Sequence, residues 1–123
     1  MSKILVVDDE PTYQKLLGEL IRRAGYEVVI ARDGLEAKVA LEEHGPDLMV
    51  LDVMMPGMSG YEVAHSVKQD KKFVDLPILL LTARGRELDS RLSEAMGIEY
   101  LHKSCSPQEL LEKIDVMLTP AEE

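Results

Sequence analysis

The sequence predicts an α/β three-layer sandwich in which five parallel strands, in the order 2-1-3-4-5, carry helices on both faces. Three observations lead there. Five short apolar runs alternate with five stretches of helical spacing, joined by short connections, which is the pattern of a covered parallel sheet. The best of these runs are apolar along their whole length, as strands buried on both faces must be. Right-handed crossovers in simple succession cannot cover both faces, so the winding reverses once. The reversal places a ligand at the carboxyl ends of the strands, between strands one and three.

The first strand is Lys3–Val7, which ends in Asp8, Asp9 and Glu10. Pro11 suits the first turn of a helix, where a missing N–H costs nothing. Tyr13, Leu16, Leu17, Leu20, Ile21 and Ala24 give that helix one apolar face, and Gly25 stops it. Glu27–Ala31 is a weaker strand. Asp33 and Glu36 resemble a capping box ahead of Ala37, Ala40 and Leu41, and Gly45-Pro46 ends the second helix.

The third run, residues 48–51, is wholly apolar and meets Asp52; Pro56, Gly57 and Gly60 then turn the chain. Ser59 with Glu62 repeats the capping pattern before Val63, Ala64 and Val67. Residues 68–75 read as a charged, exposed connection. Pro77 opens a strand over residues 78–81 that runs into Thr82 and Ala83. Leu88, Leu92, Ala95 and Met96 predict a fourth helix closed by Gly97, and residues 98–101 a short last strand before Lys103. Ser106, Pro107 and Glu109 start a fifth helix with Leu110, Leu111, Ile114, Met117 and Leu118 as its buried stripe.

The 123 residues suffice for one domain, expected to span 1–123, and 46% hydrophobic residues are enough for it to fold. Fourteen basic against 23 acidic residues give a formal charge of −9, which argues against binding nucleic acid or an anionic membrane directly. The single Cys105 excludes an internal disulfide and fits a reducing compartment. With no signal-peptide pattern and no apolar run of membrane-spanning length, a cytoplasmic location is expected.

The predicted topology gathers a constellation. Strand one delivers Asp8 and Asp9, strand three Asp52, strand four Thr82, and Lys103 follows strand five. Three neighbouring carboxylates repel unless a cation joins them. Oxygen ligands point to a hard ion, Mg²⁺ or Mn²⁺. Asp9 and Asp52 are the expected direct ligands, with the Met54 carbonyl as a third and Asp8 acting through water. A carboxylate in such a place is also a nucleophile candidate, because aspartyl phosphate is a known covalent intermediate. The transferring phosphoryl spreads charge over three equatorial oxygens. The metal takes one and Lys103 another. The Thr82 hydroxyl and a loop N–H such as that of Ala83 take the third. No base to activate a hydrolytic water is evident, so the phosphoryl group is expected to persist as a signal.

The motifs VVDDEP at 6–11, LDVMMPGMSG at 51–60, PILLLTA at 77–83 and YLHK at 100–103 make the chain resemble, over essentially its whole length, a response-regulator receiver domain of two-component signalling. The resemblance implies the flavodoxin-like (βα)5 fold of chemotaxis regulators. Asp52 is then the phosphoacceptor, charged from a histidine kinase or histidine phosphotransfer protein. Asp8 and Asp9 are the acidic pair that holds Mg²⁺. Thr82 is the switch hydroxyl, Lys103 the phosphate-sensing lysine and Tyr100 the switch aromatic. The face made by the fourth helix, last strand and fifth helix docks a downstream protein. Such a domain is a signalling module and not an enzyme, a monomer or a weak phosphorylation-dependent dimer.

The chain departs from the family pattern in two places. Ser104 stands after Lys103 where the family usually has proline, often cis. A cis bond costs about 2.5–4 kcal/mol before serine against about 0.5–1 before proline. Either the bond is trans and Lys103 is aimed differently, or strain is stored there. The segment 97–103 is also one residue shorter than the commonest pattern. The Ser104 departure is the only support for an alternative, a pseudo-receiver that docks partners independently of phosphorylation. A metal-dependent phosphohydrolase is disfavoured, because it needs an acid two residues after the nucleophile and Met54 is there. His44, His65 and His102 show no ligand spacing and read as surface residues. Cys105 and the methionines read as packing. Arg84, Arg86 and Arg91 read as solvated charge.

Overall fold

A computed structural model describes residues 2–83 and 98–119. The five short, largely apolar runs and their flanking residues form the sheet: β1 (Lys3–Val7), β2 (Glu27–Ala31), β3 (Leu48–Asp52), β4 (Ile78–Thr82) and β5 (Glu99–His102). Between and after them lie α1 (Pro11–Arg23), α2 (Gly34–His44), α3 (Gly60–Lys68) and the C-terminal helix α4 (Pro107–Leu118), the fifth helix of the sequence pattern. The expected fourth helix on Leu88, Leu92, Ala95 and Met96, its closing Gly97, and Arg84, Arg86 and Arg91 lie outside the described residues.

Every strand pair is parallel and the order is β2-β1-β3-β4-β5, as the alternation of elements predicts. Strand alternation divides the core into two layers. Ile4, Val6, Leu48, Val50, Leu79 and Leu81 face α1 and α4, where Leu17, Ile21, Leu110 and Ile114 meet them. Leu5, Val7, Met49, Leu51, Ile78 and Leu80 face the other way, onto Ala37, Leu41, Val63 and Val67 of α2 and α3. The middle strands β3 and β4 are buried at all five positions, whereas β2, at the edge, is only partly buried along most of its length.

The helix ends follow the local chemistry. Ser59 and Ser106 form complete capping boxes with Glu62 and Glu109. The expected box at Asp33 closes only halfway: Asp33 Oδ1 accepts from Glu36 N at 2.8 Å, but Glu36 reaches past the cap to Arg32, accepting from its backbone N at 2.9 Å and pairing with its Nε at 2.8 Å. The guanidinium competes for the carboxylate and wins it. Helix α1 has no side-chain cap and starts on Pro11, as expected.

Three expectations shift. The last strand runs one residue later than predicted, over Glu99–His102. The strand expected to end at Leu81 extends through Thr82. The connection at 68–75 is less free than its charge suggests. Lys68 Nζ donates to the carbonyls of Val74 (2.9 Å) and Leu76 (2.8 Å), Phe73 packs on the core, and burial pushes the Lys68 ammonium below the usual lysine range. Among the described residues no helix is long and apolar enough to cross a membrane.

Candidate functional site

Strand register builds the site. Val6 pairs with Val50 and Val7 with Leu51, so Asp8, the first residue past β1, and Asp52, the last of β3, come side by side at the predicted reversal. Asp8 continues the parity of Ile4 and Val6, and Asp52 that of Leu48 and Val50, so both acids belong to the face covered by α1 and α4. Leu81 pairs with Asp52, and Thr82 lies one residue further along β4, paired with His102 of β5. Asp8, Asp52 and Thr82 are the only buried polar or charged residues among those described, at 1%, 3% and 0% exposure. Burial without partners is costly for such groups, which makes their partners informative.

Each buried acid is anchored by its own loop. Asp8 Oδ1 accepts from Glu10 N at 2.9 Å and Asp52 Oδ1 from Met54 N at 3.2 Å. These are two Asx-type turns, each bending the chain away from a strand end. Gln14 of α1 donates from its side chain to the Asp8 carbonyl. Lys103 supplies the opposing charge: its Nζ lies 3.2 Å from Asp52 Oδ1 and 3.7 Å from Asp8 Oδ2. The ammonium also sits over the Tyr13 ring, 4.5 Å from its centroid, a favourable cation–π placement.

One charge does not satisfy three acids. Carboxylate oxygens of Asp8, Asp9 and Asp52 lie within 4.8 Å of one another, and Asp8 Oδ2 is buried with no hydrogen-bond partner. Burial first, then the charges of Asp52 and Asp9, hold the Asp8 carboxyl above its ordinary value, against the Glu10 N–H and Lys103. Burial and the neighbouring Cys105, Asp8 and Asp52 likewise push the Tyr13 phenol up to about 12. An all-oxygen donor set with an orphaned acceptor fits a hard divalent cation.

The carboxylates of Asp8, Asp9 and Asp52 and the Lys103 ammonium therefore meet in one place, and Thr82 is buried at the end of β4, one residue past the partner of Asp52. Met54 enters through its amide, which donates to Asp52, and its side chain is half exposed. Tyr100 is partly buried against the layer that holds Leu80 and Val63. The Lys103–Ser104 bond is not cis, because the described residues contain no cis peptide. Lys103 nonetheless reaches Asp52, so a trans bond has not aimed it away from the crevice.

Sequence reasoning missed three contributors. A Cβ on Gly60 would fall 2.3 Å from the Asp52 carbonyl oxygen and 2.7 Å from Val53 Cα, and Gly60 N donates to Val53 O at 2.9 Å. Glycine at the first position of α3 is what lets the helix press on the backbone that presents Asp52. Its place directly after the Ser59 cap was the available signal. Tyr13 was read only as apolar face. His102 is expected at the surface and is partly exposed there, and its Nδ1 is hydrogen-bonded to Ser104.

The model of the response regulator receiver domain matches residues 4–115. The chain belongs to that family. Receiver-containing relatives include PhoP, the alkaline phosphatase synthesis transcriptional regulatory protein of Bacillus subtilis. It is 42% identical over 98% of this chain and 50% of its own length. PhoB, the phosphate regulon regulator of Pseudomonas aeruginosa, is 38% identical over 94% of this chain and 51% of its own. The chain thus spans about half the length of the curated relatives it matches. Among solved receiver structures, Vibrio cholerae CheY4 superposes with a TM-score of 0.89 at 32% identity, covering 96% of this chain and 99% of that one. The Thermotoga maritima response regulator TrrA, solved in complex with Mg²⁺-BeF, superposes at 0.84 with 42% identity, covering 96% and 100%.

Proposed function

We propose that this receiver domain is a phosphorylation switch in which Asp52 takes a phosphoryl group from the phosphohistidine of a histidine kinase or histidine phosphotransfer protein. A carboxylate oxygen of Asp52 bonds to phosphorus as the phosphorus–nitrogen bond breaks, and the imidazole leaves with the electron pair. The product is an acyl phosphate on Asp52. The observation that carries this reading is the approach of Lys103 Nζ to 3.2 Å from Asp52 Oδ1 inside a crevice that also holds Asp8 and Asp9. Phosphoryl transfer asks the protein mainly for positioning and charge neutralisation, and those are what this crevice offers.

Asp9 and Asp52 would bind Mg²⁺, or Mn²⁺, directly together with the Met54 carbonyl, while Asp8 acts through water. The ion, when bound, would offset the charge of the acids and of one phosphoryl oxygen. Lys103 takes a second oxygen, and the Thr82 hydroxyl with the Ala83 N–H the third. Thr82 moving toward the phosphate and Tyr100 turning inward would reshape the face made by the predicted fourth helix, β5 and α4, which docks a downstream protein. That the relatives are transcriptional regulators fits a signalling output. The net charge of −9 favours a protein over nucleic acid or membrane as this domain's own target, in a cytoplasmic setting, with dimerisation weak and dependent on the phosphate. The competing scaffold reading draws its support from Ser104 alone, and the approach of Lys103 to Asp52 weakens that support.

Intact mass after incubation with acetyl phosphate and Mg²⁺ tests the proposal. Wild type should gain one phosphoryl group, and Asp52→Asn none. Omission of the metal should prevent the gain. A wild-type mass that stays unchanged under all conditions would sink the switch reading.

A further inference from the structure

The geometry points to His102 and Ser104 as positioning residues that together aim Lys103 into the acidic crevice. The role of Lys103 itself rests on the function proposed above. Lys103 is the first residue past β5, and its backbone N donates to Thr82 O at 2.7 Å, the last rung of the β4–β5 ladder. Beyond it the chain turns at once, with Cys105 N donating to His102 O at 2.9 Å. Without further restraint a lysine at the head of such a turn would hold its side chain loosely. The restraint is a ring nitrogen placed inside the turn. Ser104 N donates to His102 Nδ1 at 3.0 Å, and Ser104 Oγ lies 2.7 Å from the same atom.

A backbone N–H can only donate, so Nδ1 carries no proton and the neutral ring has its hydrogen on Nε2. The Ser104 hydroxyl then also donates, and one lone-pair centre clasps the residues on either side of Lys103. The ladder bond fixes Lys103 from behind and the clasp fixes the turn in front. The ammonium is left on the Tyr13 ring at 4.5 Å and beside Asp52 at 3.2 Å. His102 is set in place by its pairing with Thr82, so the clasp also ties Lys103 to the strand that carries the switch hydroxyl.

The test combines two readouts on wild type, His102→Ala, His102→Asn and Ser104→Ala. The first needs no phosphorylation: the Tyr13 ring current should move the Lys103 ε-methylene NMR signals away from those of a free lysine. In wild type the His102 ring should also show the Nε2–H tautomer by ¹⁵N shifts. His102→Ala should return the Lys103 signals toward free-lysine values. His102→Asn, whose side-chain oxygen can accept in place of Nδ1, should restore them. Ser104→Ala, which keeps the N–H, should show an intermediate shift. The second readout is the rate of phosphorylation by acetyl phosphate with Mg²⁺. His102→Ala should slow it by roughly tenfold to a hundredfold, the scale of a misplacement near 1 Å, and His102→Asn should recover it.

Unchanged Lys103 signals in His102→Ala, or failure of asparagine to restore them, overturns the clasp. A wild type that takes up no phosphoryl group overturns the proposed function instead, and the NMR readout still decides the clasp. Circular dichroism of each variant separates these outcomes from unfolding; if His102→Ala does not fold, the graded effect of Ser104→Ala carries the same decision.

Discussion

Lys103 Nζ lies 3.2 Å from Asp52 Oδ1 across the crevice, with serine and not proline as the residue that follows the lysine. The contact joins two elements that are not neighbours in the sheet, since β4 lies between β3 and β5. The reach of the lysine side chain is what spans that gap, and the shape of the turn after β5 decides where the reach ends.

Lys103→Met keeps most of the aliphatic stem and removes the charge. Phosphorylation by acetyl phosphate should slow about a hundredfold, the scale of losing one donor to a transition-state charge. Single-turnover rates at saturating Mg²⁺ measure this. A rate within a factor of two of wild type would remove the ammonium from the mechanism.

Asp8 makes the metal-free protein sensitive to pH in a particular direction. Its carboxyl lies above its ordinary 3.8 in the folded chain, so folded protein holds this proton where unfolded chain has lost it. The Asp8 contribution to stability is therefore full below 3.8, declines as pH rises toward the raised folded value, and stays lost above it. Asp8→Asn removes that decline and relieves a buried unsatisfied oxygen, worth about 1–3 kcal/mol. The metal-free variant should melt higher than wild type at neutral pH, with the gap closing as pH falls toward 3.8. Mg²⁺ should raise the wild-type Tm more than that of the variant, through linkage. Thermal scans with and without EDTA across this range check all three statements.

Gly60→Ala tests the pressure of α3 on β3. The added Cβ meets the Asp52–Val53 backbone, which cannot move as a flexible side chain can. Overpacking of this kind costs about 1–3 kcal/mol. Urea unfolding should show that loss, and because the contact is with the Asp52 carbonyl, phosphorylation should slow as well. Gly25, where a Cβ would meet nothing within 4 Å, provides the contrast: Gly25→Ala should leave phosphorylation unchanged and lose stability only through its φ of 101°.

Tyr13 should titrate late. Its phenol is held at about 12, first by burial and then by Cys105, Asp8 and Asp52. Absorbance at alkaline pH should show one tyrosine ionising near that value, missing in Tyr13→Phe. Because the folded value lies above the ordinary 10.0, the Tyr13 contribution to stability is full below 10.0 and is lost as pH rises to about 12. Tyr13→Phe should abolish that part of the alkaline decline.

Much of this molecule was legible in one dimension because the responsible physics is local or periodic. Apolar runs such as residues 48–51 announce strands buried on both faces, and Ser59 and Ser106 announce helix starts because a cap acts within four residues. Asp8, Asp9, Asp52, Thr82 and Lys103 could be assembled on paper because parallel topology sends all strand ends to one edge. The capping box at Asp33 was misjudged in part, because Arg32 offered Glu36 a stronger partner than the Asp33 amide.

What the sequence alone determined is which side chains arrive at the carboxyl edge and in what strand order, since those follow from hydrophobic period and crossover handedness. Tertiary structure decided how they are held there: Gly60 pressing on the Asp52 carbonyl, Tyr13 lying under the Lys103 ammonium, and His102 accepting from Ser104. Those relations depend on ångström-scale approach between side chains and backbone, some of them from elements distant in the chain. No periodicity encodes such distances; they exist only once both core layers have packed.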